Sequence, residues 1–166
     1  VGEALMLAKR GGLDLAKSFE AILNSSGNSF VHETEGQVIL NGSYNIGFNI
    51  DAEEADRLDL SLDIFAALAC DPALADWDGL GFVVQAYQRR AHAVIDWLVA
   101  LARLNRRRLM VRLVKGAYWD AEIKRAQVDG LADYPVFTRK VHTDVSYLAC
   151  ARTMLAAPDA LFPQFA

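Results

Sequence analysis

Leu80-Gly81-Phe82-Val83-Val84-Gln85-Ala86 and Leu109-Met110-Val111-Arg112-Leu113-Val114 are two short apolar runs that decide the fold. Between them, residues 90–106 carry Val94, Ile95, Leu98, Leu101 and Ala102 at helical spacing. A strand, an amphipathic helix and a second strand in that order are the pattern of a parallel βαβ unit. The first run is apolar enough to be buried on both faces. Upstream, Ile46-Gly47-Phe48-Asn49-Ile50 reads as another strand. Asp51-Ala52-Glu53-Glu54 then reads as the acidic start of a helix whose buried stripe runs from Leu58 to about Cys70. Downstream, the pattern predicts helices over Trp119–Gly130 and Thr138–Ala157, the second with Val141, Val145, Leu148, Ala149 and Met154 on its buried side. Leu161-Phe162-Pro163-Gln164-Phe165 opens a fourth strand after Pro158. No glycine-rich phosphate fingerprint follows any strand, so a (β/α) barrel is favoured over a dinucleotide-type open sheet. The expected fold class is α/β: a partial (β/α)8 TIM-type barrel of about four βα units over residues 48–166, preceded by a short α-helical segment of separate character, residues 1–47. In that segment Gly11-Gly12 separates two short helices, Asp14 stands near the second start, and Asn24–Ser29 ends it. The stretch from Phe30 to Gly47 has no clear period.

Composition sets the outer bounds. The chain has 166 residues, 53% hydrophobic and 23% charged, which excludes intrinsic disorder. Lys+Arg 17 against Asp+Glu 21 leaves a net charge of −4, the wrong sign for a phosphate-binding surface, and no nucleic-acid partner is expected. No apolar run has the ~18–20 residues of a membrane span. Cys70 and Cys150 make no disulfide framework and read as small core residues in a reduced, cytoplasmic setting. The start, VGEALMLAKR, has neither a secretory leader pattern nor an initiator Met, and the chain is expected to be a piece of something longer.

A parallel barrel gathers its chemistry at the C-terminal ends of the strands. Asp51 ends one strand, Gln85 and Tyr87 another, and Arg112, Lys115, Tyr118 and Trp119 lie in or just past a third. Arg112 is the sharpest, because a charge inside an apolar strand is costly unless paired or bound to a ligand. Two readings stay open: an internal ion pair with Asp51 or another carboxylate, or a fork of donors facing an anionic or electron-accepting ligand. Lys115-Gly116-Ala117 reads as a strand-to-helix turn in which Gly116 also allows close approach to the backbone. Asp51 reads equally as a helix N-cap and as an orienting carboxylate. His32, His92 and His142 lack metal-ligand spacing, so no metal site is expected, and the latter two read as surface or packing residues. Arg103, Arg106, Arg107 and Arg108 read as a solvated helix C-terminus.

Several ordered stretches resemble the proline dehydrogenase family, of the type carried by large bifunctional bacterial proline-utilisation enzymes. They are Asn49–Leu58, Gly81–Tyr87, the long run RRRLMVRLVKGAYWDAEIKRAQ from Arg106 to Gln127, Tyr134–Tyr147, and Pro163-Gln164-Phe165-Ala166. The resemblance covers roughly Tyr44 to Ala166. It implies a distorted (β/α)8 barrel that binds FAD and oxidises L-proline to Δ1-pyrroline-5-carboxylate, with electrons passing on to a membrane quinone. Carried over by position, Arg112 matches the arginine beside the flavin N5 region and Gln85 a hydrogen-bond partner of the flavin ring. Lys115, Gly116, Ala117 and Trp119 match the motif that lines the cofactor, and Thr138 a further contact. Asp51 and Tyr118 match residues of the proline pocket. The resemblance also implies peripheral membrane association of the parent enzyme.

The likeness has departures. The family's lysine-bearing strand has no visible counterpart before Tyr44, and the Thr-His-Asn cofactor motif and the paired arginines of the later strands are not in this sequence. A barrel takes roughly 250 residues, so about half of one is expected here, with open sheet edges that favour self-association. Residues 1–47 instead resemble the helical C-terminal domain of β-hydroxyacid dehydrogenases, on GEALMLAKRGGLDLAKSFEAILNSSGNSF and Gly42–Phe48. The rival expectations are therefore an NAD-dependent β-hydroxyacid dehydrogenase fragment and an inactive α/β fragment.

Overall fold

Helix α1, Leu15–Leu23, begins where the Asp14 carboxylate accepts from Lys17 N–H at 3.0 Å, an ordinary side-chain N-cap. Just before it, Leu13 N–H donates to Ala8 O at 2.9 Å across Gly12, whose φ of +73° only glycine adopts readily. The glycine stop and the aspartate start both match the sequence reading. The structure is a computed structural model describing residues 8, 10–25, 47–75 and 77–166. The chain divides into two compact units, Val1–Ile46 and Gly47–Ala166. The expected polar turn beyond Ser25, the undecided stretch up to Ile46 and the strand residue Ile46 lie outside the described residues.

The second unit alternates as the sequence predicts. Strand β1 is Phe48–Ile50, α2 Leu58–Ala69, β2 Leu80–Gln85, α3 Ala91–Leu104, β3 Leu109–Val114, α4 Trp119–Val128, α5 Lys140–Leu155 and β4 Leu161–Phe165. The strands form one four-stranded sheet in the order β1-β2-β3-β4, and every neighbouring pair is parallel. Strand order that follows chain order, with a helical crossover between neighbours, is the arrangement of a partial TIM-type barrel. On the helix side, Leu80, Phe82, Leu109, Val111, Leu113 and Leu161 are almost completely buried against Phe65, Ile95, Leu98 and Met154. The Phe65 and Phe82 rings lie 5.1 Å apart, tilted at 60°, which joins α2 to β2. Strand β2 is buried at every position, as its unbroken apolar run predicts.

Four readings are corrected. Asp51–Glu54 does not start a helix: the acidic run is an irregular loop, Glu54 is extended, and a 3-10 turn at Ala55–Arg57 leads into α2. Cys70 caps the end of α2 and is exposed, while Cys150 is the buried one. Helix α5 buries Thr143, Cys150 and Met154, leaving Val141 61%, Val145 67% and Leu148 69% exposed. Apolar residues lie on more than one side of α5, so spacing alone picks the wrong face. The arginine run is a solvated helix end only in part: Arg103, in the last turn of α3, and Arg106 are exposed, but Arg107 and Arg108 bond to carbonyls. Arg107 is buried and donates to Ala69 O at 3.0 Å, Leu74 O at 3.0 Å and Trp77 O at 2.6 Å, binding the last carbonyl of α2 and two carbonyls of the segment that follows it. Arg108 donates to Leu161 O at 2.9 Å and lies over the Phe162 ring.

Among the described residues no helix is long and apolar enough to cross a membrane. Replacing Phe65→Ala removes a ring with no exposed surface from this core. The expected cost is about 3–5 kcal/mol in urea unfolding, whereas Leu60→Ala at 63% exposure should stay within about 0.5 kcal/mol.

Candidate functional site

Parallel pairing places Val83 beside Arg112 and Arg112 beside Gln164, with Gly81-Met110-Phe162 one row below and Gln85-Val114 one row above. These rows share the sheet face turned away from the helices, because side chains alternate along a strand. Along β3 the helix-side residues Leu109, Val111 and Leu113 are fully buried, while Arg112 is exposed. Among the described residues the Arg112 guanidinium makes no ion pair, so the expected buried charge and its pairing with Asp51 are not found. The reason is geometric: alternation puts the guanidinium on the sheet face opposite the one packed against α2, α3 and α5.

At the C-terminal ends of the strands, Gln85 is the central polar group. It is 3% exposed, its Nε2 donates to Glu53 O at 2.8 Å, and its Oε1 accepts from Ala117 N–H at 3.1 Å. One amide thus ties the loop after β1 to the loop after β3. Asp51 is exposed and, among the described residues, accepts only from Ala52 N–H, at 2.9 Å, so it caps no helix. Gly116 has φ +133°, and a Cβ there would lie 2.4 Å from the Tyr87 ring. The close approach expected at this glycine is made by Tyr87. Tyr118 caps α4 and is half-buried.

Trp119 Nε1 donates to Phe137 O at 2.9 Å, and Phe137 N–H donates to Tyr87 O at 2.8 Å. Gln88 bridges Val136 in antiparallel fashion, so residues 135–137 run beside the end of β2 and lead to the exposed Thr138. Lys115 pairs with Asp144 of α5 at 2.7 Å, and Lys140 approaches the same carboxylate at 3.0 Å. Hydrogen bonds from Lys115 and then Lys140 hold the Asp144 carboxyl below its ordinary range.

Sequence reasoning missed Glu122. It is 4% exposed, and its Oε1 accepts from Ala55 N–H at 2.6 Å, 67 residues away. The only signal was an acid in the first turn of a helix, which most helices show. Tyr87, named only as a polar strand end, is 2% exposed. Burial, and then the Glu122 carboxylate, push its phenol up to about 12. The unfolded phenol titrates near 10, so the native state keeps a proton that the unfolded chain loses.

Two outcomes follow. Stability carried by the Tyr87 phenol should be complete below pH 10 and decline as pH rises from 10 towards 12. Tyr87→Phe should remove that alkaline loss, along with the last phenolate phase in an ultraviolet titration. Gly116→Ala should cost more than Gly130→Ala, since both have positive φ but only Gly116 is overlaid by a ring. Backbone strain alone is worth about 1–3 kcal/mol at each, and denaturation midpoints should separate the two variants.

Comparison with known proteins places the geometry. A family model for proline dehydrogenase matches residues 24–166, beginning inside the segment expected to have separate character. The bifunctional protein PutA of Escherichia coli (strain K12) is 64% identical over 128 residues, 77% of this chain and 10% of that protein. The Rhizobium meliloti protein of the same name is 63% identical over 129 residues, again 77% and 10%. Among solved structures, a bifunctional proline utilization A protein aligns with TM-score 0.72 and 61% identity over 75% of this chain and 13% of that one. A mutant of Bradyrhizobium japonicum proline utilization A aligns with TM-score 0.72 and 46% identity over 90% and 18%. The chain spans about a tenth of the length of the curated relatives it matches. The likeness of residues 1–47 to β-hydroxyacid dehydrogenases finds no support among these matches.

Proposed function

We propose, for a chain that belongs to the proline dehydrogenase family, that residues 48–166 carry part of a flavin-dependent site oxidising L-proline to Δ1-pyrroline-5-carboxylate in proline catabolism. The family is a flavoenzyme family, and FAD is the cofactor this reading requires. The single observation that carries it is the state of Arg112: exposed, unpaired among the described residues, and set in the sheet between Val83 and Gln164. A cation left without a counter-ion beside the half-buried Met110 and Val114 suits a flat, electron-accepting ring.

The other residues fit the group by their donor sets. Gln85 uses one amide hydrogen and one lone pair on Glu53 and Ala117, which leaves one donor and one acceptor for a ligand. Both are already oriented by the protein. Lys115, Gly116, Ala117, Trp119 and Thr138 would line the cofactor, with Lys115 steadied by Asp144 and Trp119 by Phe137. Asp51 and Tyr118 would face the proline.

In the reaction the C–N single bond of the ring becomes C=N, with loss of a hydride from carbon and a proton from nitrogen. When bound, the flavin supplies the acceptor for that hydride. Arg112 would stabilise the negative charge that builds beside the ring as electrons arrive. Asp51, whose carboxylate has a single backbone partner among the described residues, would orient the cationic amine of proline. Tyr118 would close the pocket beside it. A quinone at the membrane is the electron acceptor that the reading implies.

Addition of FAD to the chain should shift the flavin absorbance band and quench its fluorescence, and L-proline should then bleach the band. Arg112→Ala should weaken flavin binding by about tenfold or more, the scale of a hydrogen bond to a charged group. Unchanged flavin affinity in that variant would remove the role assigned to Arg112, and absence of flavin binding in the unsubstituted chain would overturn the function.

A further inference from the structure

Residues 53–56, immediately downstream of Asp51, are gripped by side chains from several elements. Gln85 of β2 holds Glu53 O at 2.8 Å. Arg90, from the segment before α3, donates to Ala55 O at 3.0 Å and pairs with Asp59 at 2.7 Å. From α4, Glu122 accepts from Ala55 N–H at 2.6 Å, and Arg125 pairs with Asp56 at 2.6 Å one helical turn later. Of these grips, Glu122 is the one whose residue type packing does not explain. It is buried, and among the described residues it has no cation partner. An unpaired buried carboxylate is expensive, relieved among the described residues by the N–H it holds and by the positive end of α4. Its own N–H donates to Tyr118 O at 2.9 Å. That second bond is the first backbone bond of α4, so the Glu122 carboxylate reaches the loop that carries Asp51 from the helical turn that begins at Tyr118.

We propose that Glu122 is a positioning residue of the proline pocket: it sets the Asp51 carboxylate relative to Tyr118. The proposal rests on the reading that Asp51 and Tyr118 face the substrate. The carboxylate is long enough to reach Ala55 N–H from the α4 side, and burial holds it there. A neutral glutamine keeps that acceptor atom, whereas alanine removes it.

The test compares Glu122→Ala, Glu122→Gln and the stability control Ile95→Val in the full chain loaded with FAD. Amide hydrogen exchange over residues 52–56, flavin affinity and the L-proline concentration that half-bleaches the flavin band are measured on each. Glu122→Ala should speed exchange over 52–56 about tenfold and raise the half-bleaching concentration about tenfold, with flavin affinity within about twofold. Glu122→Gln should bring both back to within about threefold of the parent. Ile95→Val should lower the melting temperature and move neither. The proposal is overturned if Glu122→Ala leaves the proline response unchanged, if Glu122→Gln fails as badly as alanine, or if Ile95→Val reproduces the shift. Lack of any proline response in the unsubstituted chain is a different failure: it overturns the function itself and the positioning role with it.

Discussion

Register between β2 and β3 governs the second unit. Phe82 opposite Val111 and Val83 opposite Arg112 send alternate side chains to opposite faces of the sheet. A slip by one residue would drive the Arg112 guanidinium under α3 and α5 and push Leu113 into water. Both changes are costly, so a slip by one residue is excluded. The helices then have one face to cover, and the strand ends arrive at a common level. Gln85, Ala117 and Glu53 can meet only because of that level.

The same alternation explains what the sequence makes plain and what it hides. Unbroken apolar runs of strand length, separated by a helix-length amphipathic stretch, leave little doubt about β2, α3 and β3. Arg112 stands out for the right reason, since a charge in such a run needs an explanation. Its exposure depends on which face the helices cover, and that is settled by the neighbouring strands and not by its own neighbours in sequence. Acidic residues at Asp51–Glu54 resemble a helix start, yet Gln85 holds Glu53 O and Glu122 holds Ala55 N–H, and both holders lie far along the chain. Helix α5 misleads because its apolar residues lie on more than one side: Val141, Val145 and Leu148 are exposed, while Thr143 and Cys150 are buried with Met154. Glu122 was illegible because its meaning lies in Ala55, a partner that no local pattern points to.

Two kinds of cohesion divide the unit. Its core is ordinary apolar packing, from Phe65 and Phe82 through Leu113 to Met154. The ends of the strands are joined instead by polar tethers to backbone atoms: Gln85 to Glu53 and Ala117, Glu122 to Ala55, Trp119 to Phe137. Hydrogen bonds of this kind hold direction strictly and tolerate little displacement. The candidate residues thus stand on loops whose geometry is set by orientation more than by volume.

Gln85 shows what such fastening means for association. A free glutamine on a surface loses rotamer freedom when a ligand arrives, a penalty of about 0.5–1.5 kcal/mol for each side chain that is immobilised. With both ends of its amide already bonded to the backbone, that entropy has been surrendered during folding. Any molecule that meets the remaining hydrogen and lone pair encounters a rigid template, and the resulting affinity is correspondingly insensitive to the mobility of the residue that recognises it.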